Sequence, residues 1–132
     1  MAQYAEIVQI VAPAEAVAGS RVDVTVRIKN RYSSAIGIMP VAFPDYPGSP
    51  GGLYINGLYP KETSANVPAG AAQDFSGYFT MPGSSVTIRA YSYWYGADEQ
   101  WHLDDQKTKA VGLTEQIESQ FGSIEITSYA RR

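Results

Sequence analysis

The 132-residue sequence predicts an all-β domain, an antiparallel two-sheet β-sandwich, and three observations predict it. Arg21 to Lys29 alternate strictly: Val22, Val24, Val26 and Ile28 are apolar, and Arg21, Asp23, Thr25, Arg27 and Lys29 are polar. A backbone that sends successive side chains to opposite faces turns that spelling into a strand with one dry side and one wet side. The same period returns over Ser85 to Tyr95. Eight prolines and twelve glycines separate such runs, the punctuation of many strands joined by turns.

Taken in order, Tyr4 to Val11 reads as a first strand closed by Pro13, and Pro13 to Ser20 as a connection ending in Gly19-Ser20. The alternating strand Arg21 to Lys29 follows, then a turn over Asn30 to Ser34. Ala35 to Phe43 is a third, apolar strand. Pro40 inside it cannot donate to a ladder, which predicts an edge position or a bulge. Pro44 to Gly52 holds three prolines and three glycines and reads as a loop. Leu53 to Tyr59 is a short strand broken by Asn56-Gly57, a pair equally suited to a tight hairpin turn.

Lys61 to Ala72 reads as a polar loop. Gln73 to Met81 places Phe75, Gly77, Phe79 and Met81 on one side. Pro82-Gly83 turns the chain into Ser85 to Tyr95, with Val86, Ile88, Ala90 and Trp94 on one face and Thr87, Arg89, Tyr91, Tyr93 and Tyr95 on the other. Trp101 and Leu103 begin the last sandwich strand, Asp104-Asp105-Gln106 interrupt it, and Lys109 to Leu113 finish it. Residues 1–113 thus form the sandwich. Residues 114–132 are a C-terminal arm or extra strand packed on the domain or on a neighbour, with a helical turn capped by Thr114 and a strand through Ile124 and Ile126. Two sheets face to face fit this spacing, and an eight-stranded jelly roll fits it too.

Composition narrows the function classes. A chain this long buries roughly two thirds of its extended surface, enough for a core without staples. The absence of cysteine removes disulfides and thiolate metal sites. The net charge of -3 is mild and interspersed, and only Arg131 and Arg132 stand together as cations, so no phosphate-neutralising groove and no nucleic-acid partner are expected. No apolar run approaches the ~20 residues of a membrane helix, and no membrane partner is expected. Residues 1–6 show no basic and apolar leader pattern. With Met1 native, the expectation is cytoplasmic synthesis, followed by residence in a virion or extracellular assembly or, failing that, in the cytoplasm.

Two stretches carry a resemblance. Pro13 to Asn30 is one, and the other runs from Phe75-Ser-Gly-Tyr-Phe-Thr-Met-Pro82 through Val86-Thr-Ile-Arg-Ala-Tyr-Ser92 to Trp101, Asp104, Asp105 and Val111. Both are similar to bacterial and archaeal immunoglobulin-like domains of the cell-adhesion-related and fibronectin type III kind. The chain departs from them in lacking an inter-sheet cysteine pair and a tyrosine corner, and in carrying residues 114–132. The resemblance implies an immunoglobulin-like sandwich that binds or spaces. A small single sandwich ending in a short arm also resembles, in type, phage and viral capsid-decoration proteins.

Candidate chemistry is sparse. His102 is the only histidine, with Asp104 two residues on along the same strand face, but a nucleophile elbow is missing and a hydrogen-bonded surface histidine is the expected reading. Asp98, Glu99, Asp104 and Asp105 form the densest acidic group. They do not spell a calcium loop, and Lys107 and Lys109 lie close, so a solvated turn is expected. Glu62 and the remaining carboxylates give no glycosidase spacing. No catalytic residue, metal or cofactor is assigned.

The binding candidates are aromatic. Tyr91, Tyr93 and Tyr95 project from one strand face roughly 7 Å apart, and Trp101 on the next strand joins them. Such rings anchor protein interfaces and also stack on sugars, and packing by neighbouring strands or the C-terminal arm would equally occupy them. Tyr46, set between prolines in the Pro44–Gly52 loop, offers a second aromatic contact. Trp94 belongs with Ile88 in the core. The expectation is a non-enzymatic module that binds protein surfaces, by self-association into a homo-oligomer or on a capsid lattice, with carbohydrate binding by the tyrosine face as the alternative.

Overall fold

A computed structural model describes residues 3–48, 55 and 64–114. The strands are β1 (Ala5–Val11), β2 (Glu15–Val17), β3 (Arg21–Asn30), β4 (Ile36–Asp45), β5 (Ala65–Val67), β6 (Ala72–Thr80), β7 (Val86–Tyr95) and β8 (Trp101–Thr114). They form a three-stranded sheet ordered β1-β3-β6 and a five-stranded sheet ordered β2-β8-β7-β4-β5. The fold is an immunoglobulin-like β-sandwich, not a jelly roll. Its signature is the chain's entry: β1 pairs antiparallel with β3, then the chain switches sheets so that β2 runs parallel to β8 at Gly112–Thr114.

The core follows from the alternation. Val22, Val24, Val26 and Ile28 of β3 meet Ile38 and Ala42 of β4 and Val86, Ile88 and Ala90 of β7, with Phe75 and Phe79 of β6 beside them. Each fully buried branched side chain contributes about 1.5–3 kcal/mol. One buried polar residue ties the sheets' connections together. Asn30 is 0% exposed; its amide donates to the carbonyls of Ser34, Val67 and Pro68, and its Oδ1 accepts from the N–H of Tyr32.

Several elements differ from the sequence expectation. Glu15–Val17 and Ala65–Val67 are strands inside segments read as a connection and a polar loop; three residues are too short to show a period, and their partners decide their conformation. Pro44 and Asp45 continue β4, opposite Ile88 and Thr87. Pro40 lies in an unbroken register opposite Ser92, so the strand is not bulged there, and β5 pairs with β4 only over Ile36–Ile38, which leaves Pro40 on a side that β5 does not cover. Its missing donor is tolerated for a local reason. The Ala42 carbonyl accepts from the Ile55 N–H, away from β7, so Pro40, two residues earlier, also turns its nitrogen away from β7. There the β5 ladder has already ended at Ile38. Apart from Ile55, which is buried, the Leu53–Tyr59 strand lies outside the described residues, as do the features expected over residues 115–132.

β8 is one strand and not two. Tyr91 faces Gln106 and Tyr93 faces Leu103, so one extra β8 residue bulges opposite Ser92. The bulge aims Asp104 and Asp105 at β1 in the other sheet. Asp104 accepts the backbone N–H of Gln3 at 2.6 Å and those of Tyr4 and Ala5 at 2.7 Å. Asp105 accepts that of Ile7 at 2.9 Å. These two carboxylates are therefore not a solvated turn; they satisfy backbone donors on the β1 edge that, among the described residues, has no strand beside it.

Candidate functional site

The outward face of the five-stranded sheet collects the aromatic candidates. Residues directly opposite in an antiparallel pair share a face. Tyr95 faces Trp101, Tyr93 faces Leu103 and Met39, and Tyr91 faces Gln106 and Val41. Tyr91, Tyr93, Tyr95 and Trp101 thus stand together, on the side opposite the buried Ile88, Ala90 and Ser92. Tyr95 and Trp101 meet edge to face, their centroids 5.1 Å apart at 62°. Tyr91 stacks on Phe43 of β4 at 6.0 Å and 20°.

Exposure grades across this face. Met39 and Val41 are buried, Tyr91, Tyr93 and Trp101 are half-buried, Tyr95 is 41% exposed and Leu103 60%. Leu103 was not singled out by the sequence, although its alternation with Trp101 was readable. Gly37 was missed as well. A Cβ there would lie 3.3 Å from the Tyr95 Cβ and 3.5 Å from the Trp101 Cη2, so the glycine leaves room for both rings. Tyr46 does not join them: it is half-buried and packs against the core cluster, so it is not an exposed aromatic tip.

The charged groups lie beyond the aromatic band. Arg89 Nε donates to Asp45 Oδ2 at 2.8 Å, and this hydrogen bond, with the charge of the carboxylate, raises the guanidinium's pKa further. The pair neutralises itself at the far end of the face. Both side chains are partly exposed, so it contributes little to stability.

At the other end, on the inward side, His102 closes the β7–β8 hairpin. Its Nε2 lies 3.0 and 2.9 Å from the two oxygens of Asp98, and its ring stacks on Trp94 at 4.4 Å and 24°. Trp94 in turn meets Tyr4 edge-on at 4.7 Å, and Tyr4 meets Tyr32 at 4.7 Å. Hydrogen bonding to His102 holds the Asp98 carboxyl below its usual pKa. Asp98, and not Asp104, is the imidazole's carboxylate; Asp104 is spent on the β1 amides. Among the described residues no group of three or more His, Cys, Asp or Glu side chains is placed to hold a metal ion.

No family model and no curated protein matches the chain. Solved structures do. The CARDB domain of a Pyrococcus furiosus protein, determined in complex with di-metal ions, superposes with a TM-score of 0.59 at 9% identity, over 85% of this chain and 90% of that one. A Niemann-Pick type C2 protein from the Japanese carpenter ant superposes with a TM-score of 0.47 at 6% identity, over 86% of this chain and 96% of that one. At such identities the likeness to the archaeal domain establishes the immunoglobulin-like fold alone.

Proposed function

We propose that this chain is a non-enzymatic docking module that meets other protein surfaces with the outward face of its five-stranded sheet. The observation that carries the reading is the uncharged aromatic band ending in Leu103, whose side chain is 60% exposed. Water gains by losing such a surface to a partner. Strand spacing and rise give the band roughly 14 Å by 20 Å, about 300 Å² in projection. A stable pairwise interface needs about 800 Å² on each side, so one contact of this size is weak. Weak contacts become strong when repeated in an assembly. The same arithmetic favours self-association or a lattice of subunits over a tight one-to-one complex.

In its most specific form the reading makes that lattice a virion and the chain a capsid-decoration protein. What supports this form is the likeness of type read in the sequence. The carbohydrate alternative draws on the same rings. Light scattering and sedimentation against concentration test the docking reading. The expected result is reversible association that Leu103→Asp abolishes. A strict monomer that also fails to bind capsid-type particles overturns it.

A further inference from the structure

We infer that the outward aromatic face of one copy is occupied by residues 123–132 of another, so that copies join head to tail. This occupant rests on the docking reading above and gives that face its partner. The open part of the face is its hairpin end, where Tyr93 stands opposite Leu103 and Tyr95 opposite Trp101. The two rows are roughly 7 Å apart along the strands. The indole lies flat there, across β7. Its Cη2 is 3.5 Å from where a Gly37 Cβ would be, although β7 separates β8 from β4.

The rim of this end is polar and, at the hairpin, acidic. Asn66, exposed, stands opposite Gly37, and Glu99 and Gln100 are exposed just before Trp101. Asp98 is engaged by His102, whereas Glu99 has no ion-pair partner among the described residues. Glu99 is also the only described residue other than glycine with a positive φ, 62°. An L side chain is strained in that left-handed conformation, where glycine is the usual occupant in such a turn. A carboxylate is thus kept at the hairpin tip against the backbone's preference.

A segment matching this surface carries two apolar side chains at strand spacing, followed by cations. Residues 123–132 spell that order. Ile124 and Ile126 alternate with Ser123, Glu125 and Thr127, which puts both isoleucines on one side of an extended chain, roughly 7 Å apart. Ser128 and Ala130 continue that side, and Arg131-Arg132, the only adjacent cations in the sequence, follow. With Ile124 on the Tyr93–Leu103 row and Ile126 on the Tyr95–Trp101 row, the arginines come within reach of Glu99. The amides of Asn66 and Gln100 can bond to the backbone of the bound segment.

Reach selects a second copy over the chain's own segment. β8 runs away from this end, and Leu103 to Thr114 spans about 33 Å once the bulged residue is discounted. A chain leaving Thr114 has to reverse, which takes about four residues for a turn. Fully extended thereafter, Ile124 and Ile126 travel back at most about 22 and 29 Å, short of both rows. A neighbouring copy's segment has no such limit. Each copy offers one segment and one face, so the contact is heterologous and repeats into a ring or a filament.

Sedimentation of the whole chain and its variants, alone and mixed, is the test. Ile126→Asp should weaken association about tenfold or more, as Leu103→Asp does. Mixed together, these two variants should form a one-to-one complex and nothing larger, because the intact segment of the Leu103→Asp chain meets the intact face of the other. Glu99→Lys should weaken association about fivefold, and adding Arg131→Glu and Arg132→Glu to the same chain should restore it. Glu99→Gly should weaken it too without lowering the thermal transition, since glycine relieves the backbone, and this separates a lost contact from a lost fold. Association that Ile126→Asp leaves unchanged or strengthens, or a mixture that stays monomeric, overturns the inference; where Leu103→Asp still abolishes association, docking stands without it. A wild-type chain that stays monomeric also overturns the inference, and it overturns the docking reading as well when no particle is bound.

Discussion

Ser92 Oγ lies 2.6 Å from the carbonyl oxygen of Ala5, a residue 87 positions earlier and in the opposite sheet. The hydroxyl donates to that carbonyl and accepts the N–H of Asp105 at 3.0 Å, while itself 0% exposed. One small side chain thus joins β1, β7 and the β8 bulge. Ser92→Ala leaves a buried carbonyl and a half-buried amide each without its partner, and should cost about 1–3 kcal/mol. Urea denaturation with an unchanged slope checks it; a loss under about 0.5 kcal/mol would refute this role.

The carboxylate beside it makes a sharper case. Asp104→Asn keeps the shape but exchanges one accepting oxygen for a donor that faces the β1 amides. Three N–H groups now share one acceptor, and a destabilisation of about 1–3 kcal/mol is expected. Asp23→Asn, which removes an exposed partner of Arg21, should stay within about 0.5 kcal/mol. Hydrogen exchange of the Gln3, Tyr4 and Ala5 amides should accelerate in the first variant and not in the second.

Asn30 is more demanding still. Its amide nitrogen faces three carbonyls inside a fully buried site. Asn30→Asp replaces that donor by an acceptor and brings in an uncompensated charge, which should cost about 3 kcal/mol or more at neutral pH. Because burial favours the protonated acid, part of the loss should be recovered in acid. Thermal unfolding of the variant at two pH values measures both effects.

The Asp98–His102 pair predicts a pH dependence with a definite sign. A carboxyl held below its ordinary value, near 3.8, stabilises the folded hairpin above that value, and the contribution disappears as pH falls through the lowered one. The carboxyl carbon of Asp98 should therefore titrate below the ordinary range, and His102→Ala should move it upward. The return should be partial, since the Gln100 N–H still donates to Asp98. Gly96→Ala should act in the same direction, because its Cβ would stand 2.6 Å from Asp98 Oδ1 and 2.9 Å from His102 Nε2. A midpoint unmoved by both variants would contradict the pairing.

What was legible in the sequence is what depends on a period. Val22 to Ile28, Phe75 and Phe79, and Tyr91 to Tyr95 face the way their spacing requires, because each strand has one covered side. What was illegible depends on distant partners or on a broken period. Asp104 and Asp105 read as an interruption because a bulge sets two residues against one. Their acceptor role concerns amides roughly a hundred positions away, which no local pattern records. Glu15–Val17 and Ala65–Val67 are strands because β8 and β4 offer each of them an edge to pair with. The aromatic face was visible as spacing. The flat indole over Gly37 was not, since it needs three strands brought side by side.

The bulged strand has one more consequence. Beyond its short pairing with β2 at Gly112–Thr114, the outer edge of β8 from Gln106 to Val111 has no strand against it among the described residues. Lys107 and Lys109 lie on that stretch. A second chain adding to this border in register would have to strip water from ammonium groups and crowd them together. Growth of the sheet into a fibril is thereby opposed, and contact between chains is left to the broad flat side.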